Sequence, residues 1–273
     1  MVQQGSARIS EIVQHLSMHA PLSAAEDWDP VGLLVGDPSA STRSVVVSID
    51  LTQEVIELAL EKRAGLIVTH HPCIFPKNAA IECLVKGSLL YSVLEKKIAV
   101  ASFHTNFDRS ALEVAHGVAE GLGFQEHGRL LDGPGFTTEM IHGTGYGVWG
   151  KFADPLPFED FSKRILELFS LKGFWMTALA PSWVSQVGFV AGKGSSFLES
   201  AISSGCDLFV TGEVGYHCSL SGLNRGVCVL ELGHRESECF FGAIIKKWLA
   251  PWGLCVVEVN TSKQIFWQEV VRS

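Results

Sequence analysis

Val68-Thr69-His70-His71-Pro72 sets two adjacent imidazoles directly behind an apolar run, Gly65-Leu66-Ile67-Val68, that reads as a buried strand. Neighbouring side chains on a strand point to opposite faces, so both histidines can serve one site only if the strand stops there. Pro72 restricts the residue before it and offers no backbone donor, which ends the strand. Two further segments place a histidine at a strand end with a carboxylate four residues on: His104 to Asp108, and His234 to Glu238. Helical i,i+4 spacing puts such a pair on one face. His70, His71, Asp108, His234 and Glu238 together supply three imidazoles and two carboxylates. That donor set suits zinc, iron, manganese or nickel, and its lack of thiolates argues against a purely structural zinc site. Five protein donors are too many for one catalytic cation with open positions. They suit two divalent metal ions, with a carboxylate bridging and water completing the coordination. His104 is a candidate partner to the ligands or a substrate contact.

Ordinary roles compete with this. A histidine at a strand end is more often a hydrogen-bonded surface or core residue, and His15, His19, His116, His127 and His142 are assigned there, with His217 left open. Asp108 alone reads as a helix cap, and Cys73 is given no ligand role despite its position beside the pair. The joint pattern, at matching places in two apparent repeats, is what favours metal.

The elements that must position these residues follow a strand–helix alternation. An amphipathic helix over 8–19, with Ser6 or Ser10 near its start, is stopped by Pro21. Strand 43–51, helix 53–63 capped by Thr52, strand 65–69, helix 87–96 and strand 98–103 come next, then a helix to about Leu122. Such alternation implies right-handed crossovers and mainly parallel sheets. Residues 133–150, rich in glycine with Thr, Tyr and Trp, read as hairpins or a connector. A helix near 157–171, strands at 174–180 and 184–191, a helix over 195–204, strand 206–210, strand 226–232, a helix to about Leu249 and strand 254–259 complete the chain. The turn Gly192-Lys193-Gly194-Ser195-Ser196 lacks both Walker and dinucleotide spacing, so a tight strand-to-helix turn outweighs an anion cradle. Leu66-Ile67-Val68-Thr69 echoes Leu208-Phe209-Val210-Thr211. The expected architecture is therefore two related α/β lobes with mainly parallel central sheets and a dinuclear metal site in the cleft between them. Residues 1–132 form the first lobe, and 133–273 form a connector and the second.

With 273 residues, 47% apolar and 18% charged, the chain can bury a sizeable core. A net charge of −8 and no Lys/Arg-rich run argue against nonspecific nucleic-acid or anionic-membrane binding. No apolar stretch approaches the roughly 20 residues of a spanning helix. Residues Met1 to Arg8 lack the apolar core of a signal peptide. Seven cysteines, odd in number and without Cys-x-x-Cys, read as reduced thiols in a cytoplasm.

Five motifs occur in order along nearly the whole chain: Trp28-Asp29-Pro30-Val31-Gly32-Leu33, His70-His71-Pro72, His104-Thr105-Asn106-Phe107-Asp108, Thr211-Gly212-Glu213-Val214 and Gly233-His234-Arg235-Glu236-Ser237-Glu238. On these the chain resembles the GTP cyclohydrolase I type 2 homologues, also called the NIF three-like or dinuclear metal-centre family. The resemblance implies that His70, His71, Asp108, His234 and Glu238 bind two metals, the set already reached from spacing. It also implies assembly as toroidal hexamers. In its cyclohydrolase form the implied activity is attack of metal-activated water on C8 of the guanine ring of GTP, with His104 or Glu213 moving protons. The sequence itself holds no guanine-specific or triphosphate-binding motif, so hydrolysis of another nucleotide or phosphoester is the nearest enzymatic alternative. The other class is a non-catalytic metal-binding ring acting through a partner protein, metal handling or DNA. The acidic charge weighs against DNA.

Overall fold

Apolar runs without alternation set up the first half of the molecule. The computed structural model describes residues 5–75, 86–130, 145–177 and 180–259. Its first elements are β1 (Ala7–Arg8), α1 (Ile9–His19), β2 (Gly32–Val35), β3 (Ser41–Thr42), β4 (Ser44–Ser48), α2 (Gln53–Glu61), β5 (Leu66–Thr69), α3 (Leu89–Glu95), β6 (Ala99–Ser102), α4 (Thr105–Ser110), α5 (Leu112–Leu122) and β7 (Glu126–Gly128). Then come β8 (Val148–Pro157), α6 (Phe158–Leu168), β9 (Trp175–Met176), β10 (Trp183–Lys193), α7 (Leu198–Ser203), β11 (Leu208–Glu213) and α8 (Tyr216–Asn224). The last are β12 (Cys228–Glu231), α9 (His234–Ser237), α10 (Phe240–Leu249) and β13 (Cys255–Glu258).

The first large sheet runs β13-β4-β5-β6-β2, parallel except for β2, which pairs antiparallel with β6. Every residue of β4, β5 and β6 is buried. Val45, Val47, Leu66 and Val68 face α1 and α10, whereas Val46, Ile67 and Val100 face α2 and α3. Cover on both faces is why these strands read as continuous apolar runs. Burying each large side chain contributes about 1.5–3 kcal/mol. Thr52 caps α2 as expected, its Oγ1 accepting from the Val55 amide at 3.3 Å. For α1 the start is different: Arg8, not a serine, stands at the cap, and Glu11 accepts from its backbone amide at 3.0 Å.

The second sheet runs β7-β8-β10-β11-β12-β9, and there only the β10–β11 and β11–β12 pairs are parallel. The expectation of mainly parallel sheets is corrected here: the architecture is α/β with mixed sheets. In β8 buried Val148, Gly150 and Phe152 alternate with less buried Trp149, Lys151 and Ala153. That pattern belongs to an antiparallel ladder with one wetter face. Strand β9 is only Trp175–Met176, and residues 178–179 of the expected strand lie outside the described residues. The segment read as hairpins or connector falls largely there too, as do His142 and Cys83.

The two domains are similar, each with a strand–helix–strand unit, β5-α3-β6 and β11-α8-β12, at its centre. Relative to a division after residue 132, segments cross in both directions. Helix α5 packs with Val118, Ala119 and Leu122 on the second sheet, and β7 pairs with β8. Helix α10 returns Phe241, Ile245 and Leu249 to the first core, and β13 pairs with β4. This exchange ties the lobes together around the cleft where β5, β6, β11 and β12 end.

Candidate metal centre

Strand β5 ends at Thr69, and the amides of His70 and His71 turn to the Ile49 carbonyl at 3.1 and 2.9 Å. The break in pleat lets both imidazoles face one site. His104 follows β6 and stands at the start of α4, with Asp108 one turn along and its amide bonded to the His104 carbonyl at 3.0 Å. Helix α9 begins immediately after Gly233, so His234 and Glu238 converge: Nε2 to Oε1 is 3.2 Å. Gly212 allows α9 to lie on the end of β11, because a Cβ there would strike Ser237 Oγ and the His234 Cα. Ser237, fully buried, donates to the His234 carbonyl at 2.6 Å and accepts from the Gly192 amide at 2.8 Å.

Each of four imidazoles is held through Nδ1 by a group that can only accept or, as a carboxylate, prefers to. His70 donates to the Phe103 carbonyl at 2.8 Å, and His71 to Asp50 Oδ1 at 2.7 Å. His104 donates to Asp29 Oδ1 at 2.9 Å, and His234 to Glu213 Oε2 at 3.0 Å. Binding Nδ1 fixes the tautomer and leaves Nε2 as the free donor atom of every ring. Those of His70, His71 and His234 gather on Glu238. Its Oε1 lies 3.5 Å from His70 Nε2, and its Oε2 lies 3.3 Å from His71 Nε2. Asp108 Oδ1 lies 3.6 Å from His70 Nε2. Two donor groups result, His70-His71-His104 and His71-His234-Glu238, each with its donor atoms within 4.8 Å of one another.

The electrostatics favour positive charge at the site. Burial opposes a charged His71, yet hydrogen bonds to Asp50 and Glu238 override it and push the imidazole up to about 10. The bond to Glu238 leads in raising His234 to about 9. Burial opposes the charge on Glu238, but nearby His70 and the bonds from His234, His70 and His71 hold it well below the usual carboxylate range. Desolvation pushes Asp108 up. His70 Nε2 and Glu238 Oε2 are buried and meet only these charged neighbours, at 3.3–3.6 Å, with no hydrogen bond of good geometry. An unsatisfied buried polar atom costs about 1–3 kcal/mol, and a divalent cation is the partner that an imidazole lone pair and a carboxylate oxygen share. The residues therefore fit divalent metal.

All five residues expected to bind metal come to one place, and His104 joins them more closely than a supporting role requires. Glu213 grips the far nitrogen of His234 and does not line the cleft, which fits positioning better than proton transfer. Sequence reasoning missed Asp50 and gave Asp29 no role beyond its place in the Trp28–Leu33 motif. Asp29 is 1% exposed and accepts from Thr105 Oγ1 at 2.5 Å and the Thr105 amide at 3.0 Å, besides His104. Burial opposes its charge, but these bonds hold it below the usual range. Asp50 lies just past the end of β4 and Asp29 just before β2, so their roles depend on how those strands pair with β5 and β6. His127 stays apart from the centre, and the six described cysteines are free thiols. No helix among the described residues is long and apolar enough to cross a membrane.

Above the centre opens a cavity of ≈ 700 Å³ lined by both lobes. Among solved structures, a Bacillus cereus protein related to NIF3 shares the fold with a TM-score of 0.84 at 17% identity, over 97% of this chain and 100% of that one. A Clostridium acetobutylicum protein named GTP cyclohydrolase 1 type 2 homolog is 27% identical over 234 residues, 85% of this chain and 86% of that one. A Helicobacter pylori protein named GTP cyclohydrolase 1 type 2 is 26% identical over 257 residues, covering 93% and 96%. A profile of the Duf34/NIF3 (NGG1p interacting factor 3) family matches residues 7–264, and the chain belongs to that family.

Proposed function

We propose that the protein is a metal-dependent hydrolase acting on a nucleotide or related small molecule. In this reading His70, His71, Asp108, His234 and Glu238 would hold two divalent cations. The observation that carries it is Glu238: a buried carboxylate whose two oxygens face three imidazole Nε2 atoms on the floor of an open cavity. Cations bound there supply Lewis acidity and bring the pKa of water from about 15.7 to about 7. Asp29 keeps the proton of His104 on Nδ1, so Nε2 can take a proton from the attacking side and return it to a leaving group. Asp50 and Glu213 hold His71 and His234 against the same carboxylate. Trp28 lies edge-on to His104 at 6.2 Å.

Cytoplasmic location and a ring of six chains belong to the same reading. Trp175 at 81% exposure on the edge strand β9, with Trp183 at 59% and Tyr216 at 75%, gives large rings that a neighbouring chain would cover. The experiment is to purify the protein with its native metal and screen nucleotides for release of formate, phosphate or base. A metal-replete protein that turns over none of them is a metal-holding protein instead. Light scattering on the same sample gives the assembly.

A further inference from the structure

The cavity walls away from the metal residues are of two kinds. At one end, Val114 of α5 and Phe240 of α10, both half-buried, give apolar wall, with the core side chains Val148, Phe189 and Phe241 packed behind them. The rim carries two ring pairs, Trp28 with Phe75 at 5.8 Å and Tyr146 with Phe197 at 5.0 Å. Charge on the lining is sparse. Glu26, Asp108 and Glu238 are acidic, and Arg129 and Lys193 are basic. Arg129 is committed to main chain, donating to the Arg109 carbonyl at 3.2 Å and the Gly147 carbonyl at 3.5 Å. Glu26 accepts from Tyr146 at 2.8 Å and lies 3.6 Å from Arg109. Lys193 takes part in no ion pair among the described residues.

Its place is built into the fold. The β10–β11 register breaks between Val190 and Lys193, and Gly192 adopts φ +63. A Cβ at 192 would come within 2.7 Å of Glu238 Oε1, so glycine and the bulge are forced by the metal residues themselves. The Gly192 amide is taken by Ser237 and the Gly194 amide by the Glu213 carbonyl at 3.1 Å. Neither amide can cradle a phosphate, and what the bulge offers the cavity is the Lys193 side chain.

We propose that the cavity takes a small aromatic or heteroaromatic molecule with one anionic group, its ring against the aromatic side chains of the rim and its anion on Lys193. This rests on the hydrolase reading for the reacting end and deepens it by naming the substrate class. A triphosphate fits poorly, because beyond the metal residues its charges would meet one uncommitted cation and an apolar wall.

The test is calorimetric titration of zinc-loaded protein with 2-naphthoate, its neutral isostere 2-naphthamide, and GTP, on wild type and Lys193→Ala. Metal content is measured on the same samples. Lys193 is exposed, so the variant keeps the fold. In wild type the acid should bind about tenfold more tightly than the amide, the scale of one charge-assisted contact, and more tightly than GTP. In Lys193→Ala the acid and amide should bind alike. An acid–amide gap that survives in the variant, or GTP binding ahead of naphthoate in wild type, overturns the proposal. Naphthoate binding without turnover of any screened compound removes the hydrolase reading alone. Turnover of other compounds with no naphthoate binding removes this proposal alone.

Discussion

Asp50 is the most informative position to perturb, because it touches the centre only through His71. Its Oδ1 takes the His71 Nδ1 proton at 2.7 Å, which fixes the tautomer and strengthens Nε2 as a donor to metal. Removing such a partner typically costs 10–100-fold in metal affinity, or about 1.4–2.7 kcal/mol. The Asp50 side chain is 43% exposed, so its charge is partly screened. Asp50→Asn keeps an acceptor oxygen in place and loses only the charge, so a loss of about tenfold is expected. Asp50→Ala also frees the ring, and about 100-fold is expected. Competition against a chromophoric zinc chelator reads both values, with circular dichroism confirming matched folding. In the metal-free protein the same substitutions should bring His71 down from about 10, read by NMR titration. An Asp50→Ala protein that holds zinc as tightly as wild type would refute the reasoning.

Three further outcomes follow from the geometry. Metal-free His71 at about 10 and His234 at about 9 both lie above the ordinary value, so the stabilisation from their charged forms is complete below about pH 6.5 and fades as pH rises through 9 to 10. Melting temperature of metal-free protein should fall over that interval while metal affinity rises, and loading zinc near neutral pH should release about two protons; release below about one contradicts the assignment. Gly192→Ala forces a Cβ toward Glu238 at φ +63, and should cost about 1–3 kcal/mol of stability and lower metal occupancy. His104→Ala should keep at least one metal while losing whatever turnover exists, whereas His127→Ala, out on β7, should change neither; equal loss of metal in His127→Ala and Glu238→Ala would mean the site is misassigned.

The donor set was legible because local rules carry it. A proline ends the histidine strand, and i,i+4 spacing pairs His234 with Glu238 once Gly233 starts a helix. The partners behind the imidazoles were not legible, since they depend on strand pairing. Asp50 reaches His71 across 21 residues because parallel β4 and β5 align Ser48 with Thr69. Asp29 reaches His104 across 75 residues because β2 lies antiparallel on β6, aligning Gly32 with Ser102. The exchange of α5 and α10 between lobes was hidden for a related reason. Phe240, Phe241, Ile244 and Ile245 announce a buried helix, but periodicity names a face and not the sheet it will meet. Strand direction in the second sheet needed the same missing information, and the alternation in β8 was obscured by Gly147 and Gly150.

One carboxylate facing three imidazoles should organise both proposed cations. Elemental analysis of protein prepared without chelator, for wild type and Glu238→Ala at matched folding, tests it most directly. Close to two divalent metals per chain are expected in wild type and neither in the variant, since Glu238 faces His70, His71 and His234 alike. A reproducible value near one in wild type, or two metals retained by Glu238→Ala, would contradict it.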